Sequence, residues 1–192
     1  MIPHSRPTIG NEEALAVQRV LESRQIGACG ETEEFEREFR EFLGVRATIA
    51  VNSGSAALHL ALVAAGIGKG SKVAVPSYVC AAILNSIMYT GATPVLLDID
   101  ESLNVSEESF AKARRVDALI VTHAFGNPCD VRKFRRAPLV IEDCAAAVGA
   151  QIGGKICGAA TEISVFSFYA TKMMTTGHGG MVATNSASIG RK

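Results

Sequence analysis

Between residues 48 and 184 one pattern recurs. Short runs rich in valine and isoleucine alternate with alanine-rich segments of helical length. The runs at 48–51, 72–75, 94–99, 118–122, 139–142, 163–168 and 181–184 read as strands. The segments 55–65, 79–89 and 106–113 read as helices, and 130–134 as a helical turn. Such alternation argues for βαβ units around a mostly parallel sheet covered by helices on both faces. Ahead of it, 11–22 reads as an amphipathic helix with Ala14, Val17, Val20 and Leu21 on one face. A second helix, 31–43, carries Phe35, Phe39, Phe42 and Leu43 at helical spacing. The pattern divides the chain into a helical segment, 1–45, and an α/β segment, 46–192.

In open sheets of this kind, ligands bind beyond the carboxyl ends of the strands. Three strand ends carry chemistry. After the first comes Asn52-Ser53-Gly54-Ser55-Ala56-Ala57, where small residues let the backbone approach a ligand and a helix start offers free N–H groups. This suits a phosphate; it also suits a plain helix cap on Ser53 or Ser55. After the run 139–142 comes Asp143, followed by Cys144-Ala-Ala-Ala147. A carboxylate in apolar surroundings is costly unless it meets a cation or caps the next helix. After the run 163–168 comes Lys172, a single amine among small residues, followed by His178-Gly179-Gly180. A lysine whose charge is disfavoured condenses with carbonyls. A phosphate cradle, an acidic partner and an amine together are what pyridoxal phosphate requires of a protein. Gly66-Ile-Gly-Lys-Gly70 lies between helix and strand, the wrong order for a dinucleotide loop, and no P-loop is present.

Composition excludes several classes. Lysine plus arginine and aspartate plus glutamate number 19 each, so no net charge draws the chain to nucleic acid or to an anionic membrane. No apolar run has spanning length and the N-terminus lacks a signal sequence, which points to the cytoplasm. The five cysteines, at 29, 80, 129, 144 and 157, never fall in Cys-x-x-Cys spacing and read as reduced core thiols. No metal-ligand cluster surrounds Asp143 in sequence. Arg114-Arg115 and the group Arg132, Lys133, Arg135 and Arg136 suit either a nucleotide diphosphate or solvated helix faces.

The chain resembles the N-terminal half of the DegT/DnrJ/EryC1/StrS family of pyridoxal-phosphate-dependent sugar aminotransferases. The resemblance is carried by 51–62 (VNSGSAALHLAL), Val75-Pro76, Gly91-Ala-Thr-Pro-Val95 with Asp98-Ile-Asp100, His123-Ala-Phe-Gly126 with Pro128 and Asp130, Ile141-Glu-Asp143, and Phe166-Ser-Phe168 through Lys172 to Gly180. It implies a type I, aspartate-aminotransferase-like large domain without the small C-terminal domain, since family members run about twice as long. It implies that Lys172 forms the Schiff base and shuttles protons, and that Asp143 keeps the ring nitrogen protonated. Ser55 and Ala56 would bind the phosphate through backbone amides, and Ser167 through its hydroxyl. Cys80 stands where the family stacks an aromatic residue on the ring, with Tyr78 nearby. Ala146 stands in the place of a glutamine near the phenolic oxygen, and His178 in that of a glutamate. The implied reaction passes an amino group from glutamate or glutamine to a keto group of a nucleotide-linked sugar, for amino-sugar and polysaccharide biosynthesis, in a homodimer. Two alternatives stay open: a degenerate or regulatory homologue without transfer activity, and a sugar dehydratase, which typically carries histidine in place of Lys172.

Overall fold

The valine- and isoleucine-rich runs form one seven-stranded sheet in a computed structural model that describes residues 5–28, 30–113 and 115–192. Cys29 and Arg114 lie outside the described residues. The strands of this sheet are β1 (Ala47–Val51), β2 (Lys72–Pro76), β3 (Thr93–Leu97), β4 (Ala118–Thr122), β5 (Val140–Asp143), β8 (Ile163–Ser167) and β9 (Gly180–Thr184), with β6 (Gln151–Ile152) and β7 (Lys155–Ile156) forming a separate hairpin. Spatial order is β1-β9-β8-β5-β4-β2-β3. Six strands run parallel; β9 alone runs antiparallel to its neighbours β1 and β8. The mostly parallel sheet read from the sequence is thus present, with one reversed strand.

The helices are α1 (Asn11–Ser23), α2 (Gly30–Leu43), α3 (Gly54–Ala64), α4 (Ala81–Tyr89) and α5 (Glu107–Lys112). Alternation along the strands splits the core in two. Ala118, Ile120, Ile141, Ile163 and Val165 pack against Ala57, Leu58, Ala61 and Leu62 of α3 and Ile83 and Ile87 of α4. The opposite face packs in two patches. Leu119 and Val121 meet Phe110 of α5 and Phe134 of a 3-10 turn, Val131–Phe134. Phe166 of β8 and the adjoining Phe168 meet α2, where the Phe39 ring lies edge-on to both at 4.9 and 5.5 Å. Glu36 ties α2 to the edge of the sheet, its carboxylate accepting the Ala50 N–H at 2.7 Å.

Several details depart from the sequence reading. The amphipathic face expected on α1 is uncovered: no residue of α1 is buried, and Leu15, Val17 and Leu21 are 55%, 60% and 62% exposed. Phe42 of α2 is exposed while Phe39 and Leu43 are buried, so the aromatic stripe is narrower than its spacing suggests. The helix expected from 79 starts at Ala81, because Cys80 has extended backbone (φ −63°, ψ 135°). The hairpin β6–β7 has no counterpart in the sequence pattern; its turn uses Gly153 and Gly154, both with positive φ, a conformation that glycine adopts at no steric cost. Among the described residues no helix is long and apolar enough to cross a membrane.

Candidate active site

On the face covered by α3 and α4, three neighbouring strands each end in a polar residue. Ala118 and Ile120 are followed by Thr122, Ile141 by Asp143, and Ile163 and Val165 by Ser167. Thr122 is the register partner of Asp143, Asp143 of Val165, and Ser167 of Gly180. Register partners share a sheet face, so Thr122, Asp143 and Ser167 form a polar rim at the carboxyl ends of the strands.

A cleft opens over this rim in two lobes. One, of about 390 Å³, is lined by Tyr78, Thr122, His123, Phe125 and Ala146 among others. The other, of about 350 Å³, is lined by Ser53, Gly54, Ser55, Ser167, Tyr169 and His178 among others. Cys80, Ile83, Asp143, Ala145 and Lys172 line both and mark where the lobes join. Of the residues singled out in the sequence, Lys172, Asp143, Ser55, Ser167 and Cys80 therefore meet at one cleft. Ala56 does not line it; its N–H donates to Ser53 Oγ at 3.1 Å, the helix cap.

The serine lobe depends on backbone packed against backbone. A Cβ on Gly54 would lie 2.8 Å from Ser167 Cβ, and one on Gly180 would lie 2.4 Å from the Ser53 carbonyl oxygen. Glycine at both positions lets the start of α3 rest directly on the ends of β8 and β9. The positive end of the helix, with Gly54 and Ser55 at its first turn, then borders the lobe.

Asp143 is buried, and burial pushes its carboxyl above the ordinary range. The Ala145 N–H, which donates to Oδ1 at 2.9 Å, and the charge of Lys172 oppose that shift without cancelling it. The alternative of a helix cap takes a reduced form here: Asp143 caps a turn. Lys172 is half-buried in the loop after β8, where its N–H donates to the Tyr169 carbonyl at 2.9 Å.

Glu142, one residue earlier, points to the other face. Burial alone would raise its carboxyl, but donors hold it below the ordinary range. Oε2 accepts from His123 Nε2 at 3.1 Å and the Gly158 N–H at 2.9 Å; Oε1 accepts from the N–H and hydroxyl of Thr161 at 3.1 and 2.8 Å. The Cys129 N–H donates to His123 Nδ1 at 3.0 Å, which leaves the ring proton on Nε2. The ligand-type atoms of His123, Glu142 and Cys144 cluster within 4.8 Å, but both histidine nitrogens and both carboxylate oxygens are committed to hydrogen bonds. The network closes without an ion.

Other sequence features fall elsewhere. Arg132 pairs with Asp130, Lys133 with Glu107, and the Arg136 guanidinium lies 4.2 Å from the Phe110 ring centroid. Arg115, Arg132, Lys133, Arg135 and Arg136 line neither lobe. Cys129, Cys144 and Cys157 are buried free thiols, while Cys80 is exposed in the cleft. His178 lines the serine lobe with its ring edge-on to Tyr169 at 5.0 Å. Sequence reasoning gave no role to Thr122 and none to His123 beyond its place in a matching stretch. The available signal was a polar residue closing an otherwise apolar strand.

Comparison with known proteins agrees with this architecture. The model of the DegT/DnrJ/EryC1/StrS aminotransferase family matches residues 7–192. GDP-perosamine synthase of Escherichia coli O157:H7 is 38% identical over 197 residues, covering 98% of this chain and 54% of the relative. The crystal structure of an aminotransferase from Psychrobacter cryohalolentis superposes with a TM-score of 0.92 at 38% identity, over 98% of this chain and 51% of that one. The PLP form of Spr1654 from Streptococcus pneumoniae superposes with a TM-score of 0.93 at 26% identity, over 98% and 54%. The chain spans about half the length of the relatives it matches. A continuous family match over residues 7–192 and a relative 38% identical over 98% of the chain show that the chain belongs to the DegT/DnrJ/EryC1/StrS aminotransferase family.

Proposed function

We propose that this chain binds pyridoxal phosphate in the two-lobed cleft and takes part in moving an amino group onto a keto group of a nucleotide-linked sugar. The observation that carries the reading is that Asp143 lines one cleft with Ser167 and Lys172, which lie more than twenty residues further along the chain. The residues fit the cofactor on their own chemistry. A carboxyl raised by burial, an amine half-withdrawn from solvent and a helix start held open by Gly54 match a ring nitrogen, an aldehyde and a phosphate. Membership of an aminotransferase family supports the reaction, and the relative named GDP-perosamine synthase supports a nucleotide-sugar acceptor.

When bound, pyridoxal phosphate supplies an aldehyde for amine exchange and a ring that withdraws electrons. Lys172 Nζ would hold the aldehyde and, when released, carry a proton on the same nitrogen. Asp143 would hold the ring-nitrogen proton at Oδ2, because Oδ1 is engaged by Ala145. The Ser55 N–H and the Ser167 hydroxyl would bind phosphate. The Ala56 N–H joins them only when Ser53 turns away from it. Cys80, between the lobes, would pack on the ring. The reading extends to glutamate or glutamine as donor, to polysaccharide biosynthesis, to the cytoplasm and to a homodimer. Buried free thiols favour a reducing compartment, and the uncovered apolar residues of α1 favour a second copy.

Cys80 and Ala146 in the cleft favour a second reading, a homologue that holds the cofactor without transferring nitrogen. One experiment separates the two. The chain is mixed with pyridoxal phosphate, reduced with borohydride and mapped, then assayed with glutamate and a keto-sugar nucleotide. A pyridoxyl adduct on Lys172, lost in Lys172→Ala, with amino transfer supports the first reading; the adduct without transfer supports the second. Label scattered over surface lysines refutes both.

A further inference from the structure

We propose that Thr122 is a cofactor-contact residue whose hydroxyl donates to the phenolic oxygen of the bound pyridoxal ring. The proposal rests on the cofactor reading above. Thr122 is 9% exposed, and Oγ1 is the buried side-chain polar atom without a hydrogen-bond partner among the described residues. A buried hydroxyl left unpaired costs about 1–3 kcal/mol, whereas valine would fill the same volume without that cost. No described residue partners Thr122 Oγ1, so the hydroxyl is left for something that enters the cleft.

The geometry selects which group that is. Thr122 lies beside Asp143 on the same sheet face, at the opposite side of it from Val165 and Ser167. Pyridoxal phosphate carries its phosphate arm and its phenolic oxygen on either side of the aldehyde-bearing carbon. With phosphate in the serine lobe and the ring nitrogen at Asp143, the phenolic edge faces the lobe that Thr122 lines. That lobe offers few other donors. Both His123 nitrogens are engaged, by the Cys129 N–H and by Glu142. Tyr78 stands at the rim, 54% exposed, and Ala145 and Ala146 bring no polar side chain. Thr122 is left as the buried, uncommitted hydroxyl facing that edge.

The test uses Thr122→Val and Thr122→Ser, measuring thermal unfolding without cofactor and the dissociation constants of pyridoxal phosphate and of 3-deoxypyridoxal phosphate, which lacks the phenolic oxygen. Without cofactor, Thr122→Val melts at or above the wild-type temperature, because an unpaired hydroxyl becomes a methyl group. With pyridoxal phosphate it binds roughly three- to tenfold more weakly, the worth of one hydrogen bond. Thr122→Ser keeps near wild-type affinity, and the deoxy analogue binds wild type and Thr122→Val alike. Unchanged pyridoxal phosphate affinity in Thr122→Val overturns the proposal, as does an equal loss for both ligands or a lowered melting temperature without cofactor. In each of those cases wild-type labelling at Lys172 leaves the cofactor reading standing. A wild-type chain that takes up no pyridoxal phosphate overturns that reading and this proposal with it.

Discussion

Gly180→Ala tests how the serine lobe is built. Gly180 opens β9 and is paired on both sides, to Val51 of β1 and Ser167 of β8. A Cβ there would lie 2.4 Å from the Ser53 carbonyl oxygen and 2.8 Å from the Gly54 nitrogen, where ordinary contact begins near 3.4 Å. A displacement of about 1 Å, the difference between 2.4 and 3.4 Å, has to come from backbone, since no flexible side chain is in the way. Because β9 is pinned between two strands, the shift falls on Ser53 and Gly54, the start of α3. Overpacking of this kind costs about 1–3 kcal/mol. For a domain of this size that lowers the melting temperature by roughly 2–12 °C. The same shift carries the first-turn N–H groups away from the ends of β8 and β9, so pyridoxal phosphate should bind at least about tenfold more weakly, or 1.4 kcal/mol. Circular dichroism melts and a cofactor titration by visible absorbance give both numbers. Gly68→Ala is the control: its Cβ would approach nothing closer than the Thr90 carbonyl at 3.7 Å. The reasoning fails if Gly180→Ala melts with the control and binds cofactor as wild type does.

Two neighbouring carboxyls should respond to pH with opposite signs. Asp143 has a folded pKa above its ordinary 3.8, so its contribution to stability falls as pH rises from about that value through the raised one. Asp143→Asn should therefore melt higher than wild type at neutral pH without cofactor and lose that fall, while binding pyridoxal phosphate more weakly; a lower melt at neutral pH would contradict the buried-charge argument. Glu142 has a folded pKa below 4.5, so the stability it provides is present above 4.5 and is lost as pH drops through the lowered value. Glu142→Gln replaces an oxygen that accepts two hydrogen bonds with a donor, and at neutral pH should cost about 2–4 kcal/mol in urea unfolding, a deficit that shrinks on acidification; a cost independent of pH would refute the ionised network.

The parallel sheet was legible because strands covered on both faces leave long apolar runs that few other folds use. Lys172 and Asp143 stood out in the sequence because each follows such a run as a lone charge among small residues. Thr122 was not, since 118–122 reads as one apolar run whose faces the sequence does not separate. Only the register of β4 against β5 puts Thr122 beside Asp143. The network around Glu142 was hidden in the same way: His123, Thr161 and Gly158 are up to 19 residues distant and meet it across strands and loops. The hairpin β6–β7 escaped because two-residue strands are too short to show a period. On α1 the amphipathic pattern was read correctly as a helix but could not say what covers its apolar face.

The reversed strand β9 also sets the order in which the molecule can be made. Thr48 of β1 pairs with Ala183 of β9, a separation of about 135 residues (183 − 48). Of the seven strands β9 leaves the ribosome last, and until it arrives β1 has no neighbour and β8 keeps an open edge. Pairing over so long a loop is entropically slow. It is also the step that brings Gly180 against Ser53 and Gly54 and closes the loop between β8 and β9 that carries Lys172. Closing the sheet and completing the cleft are then one folding event, and a ligand that binds only the closed form favours it by mass action.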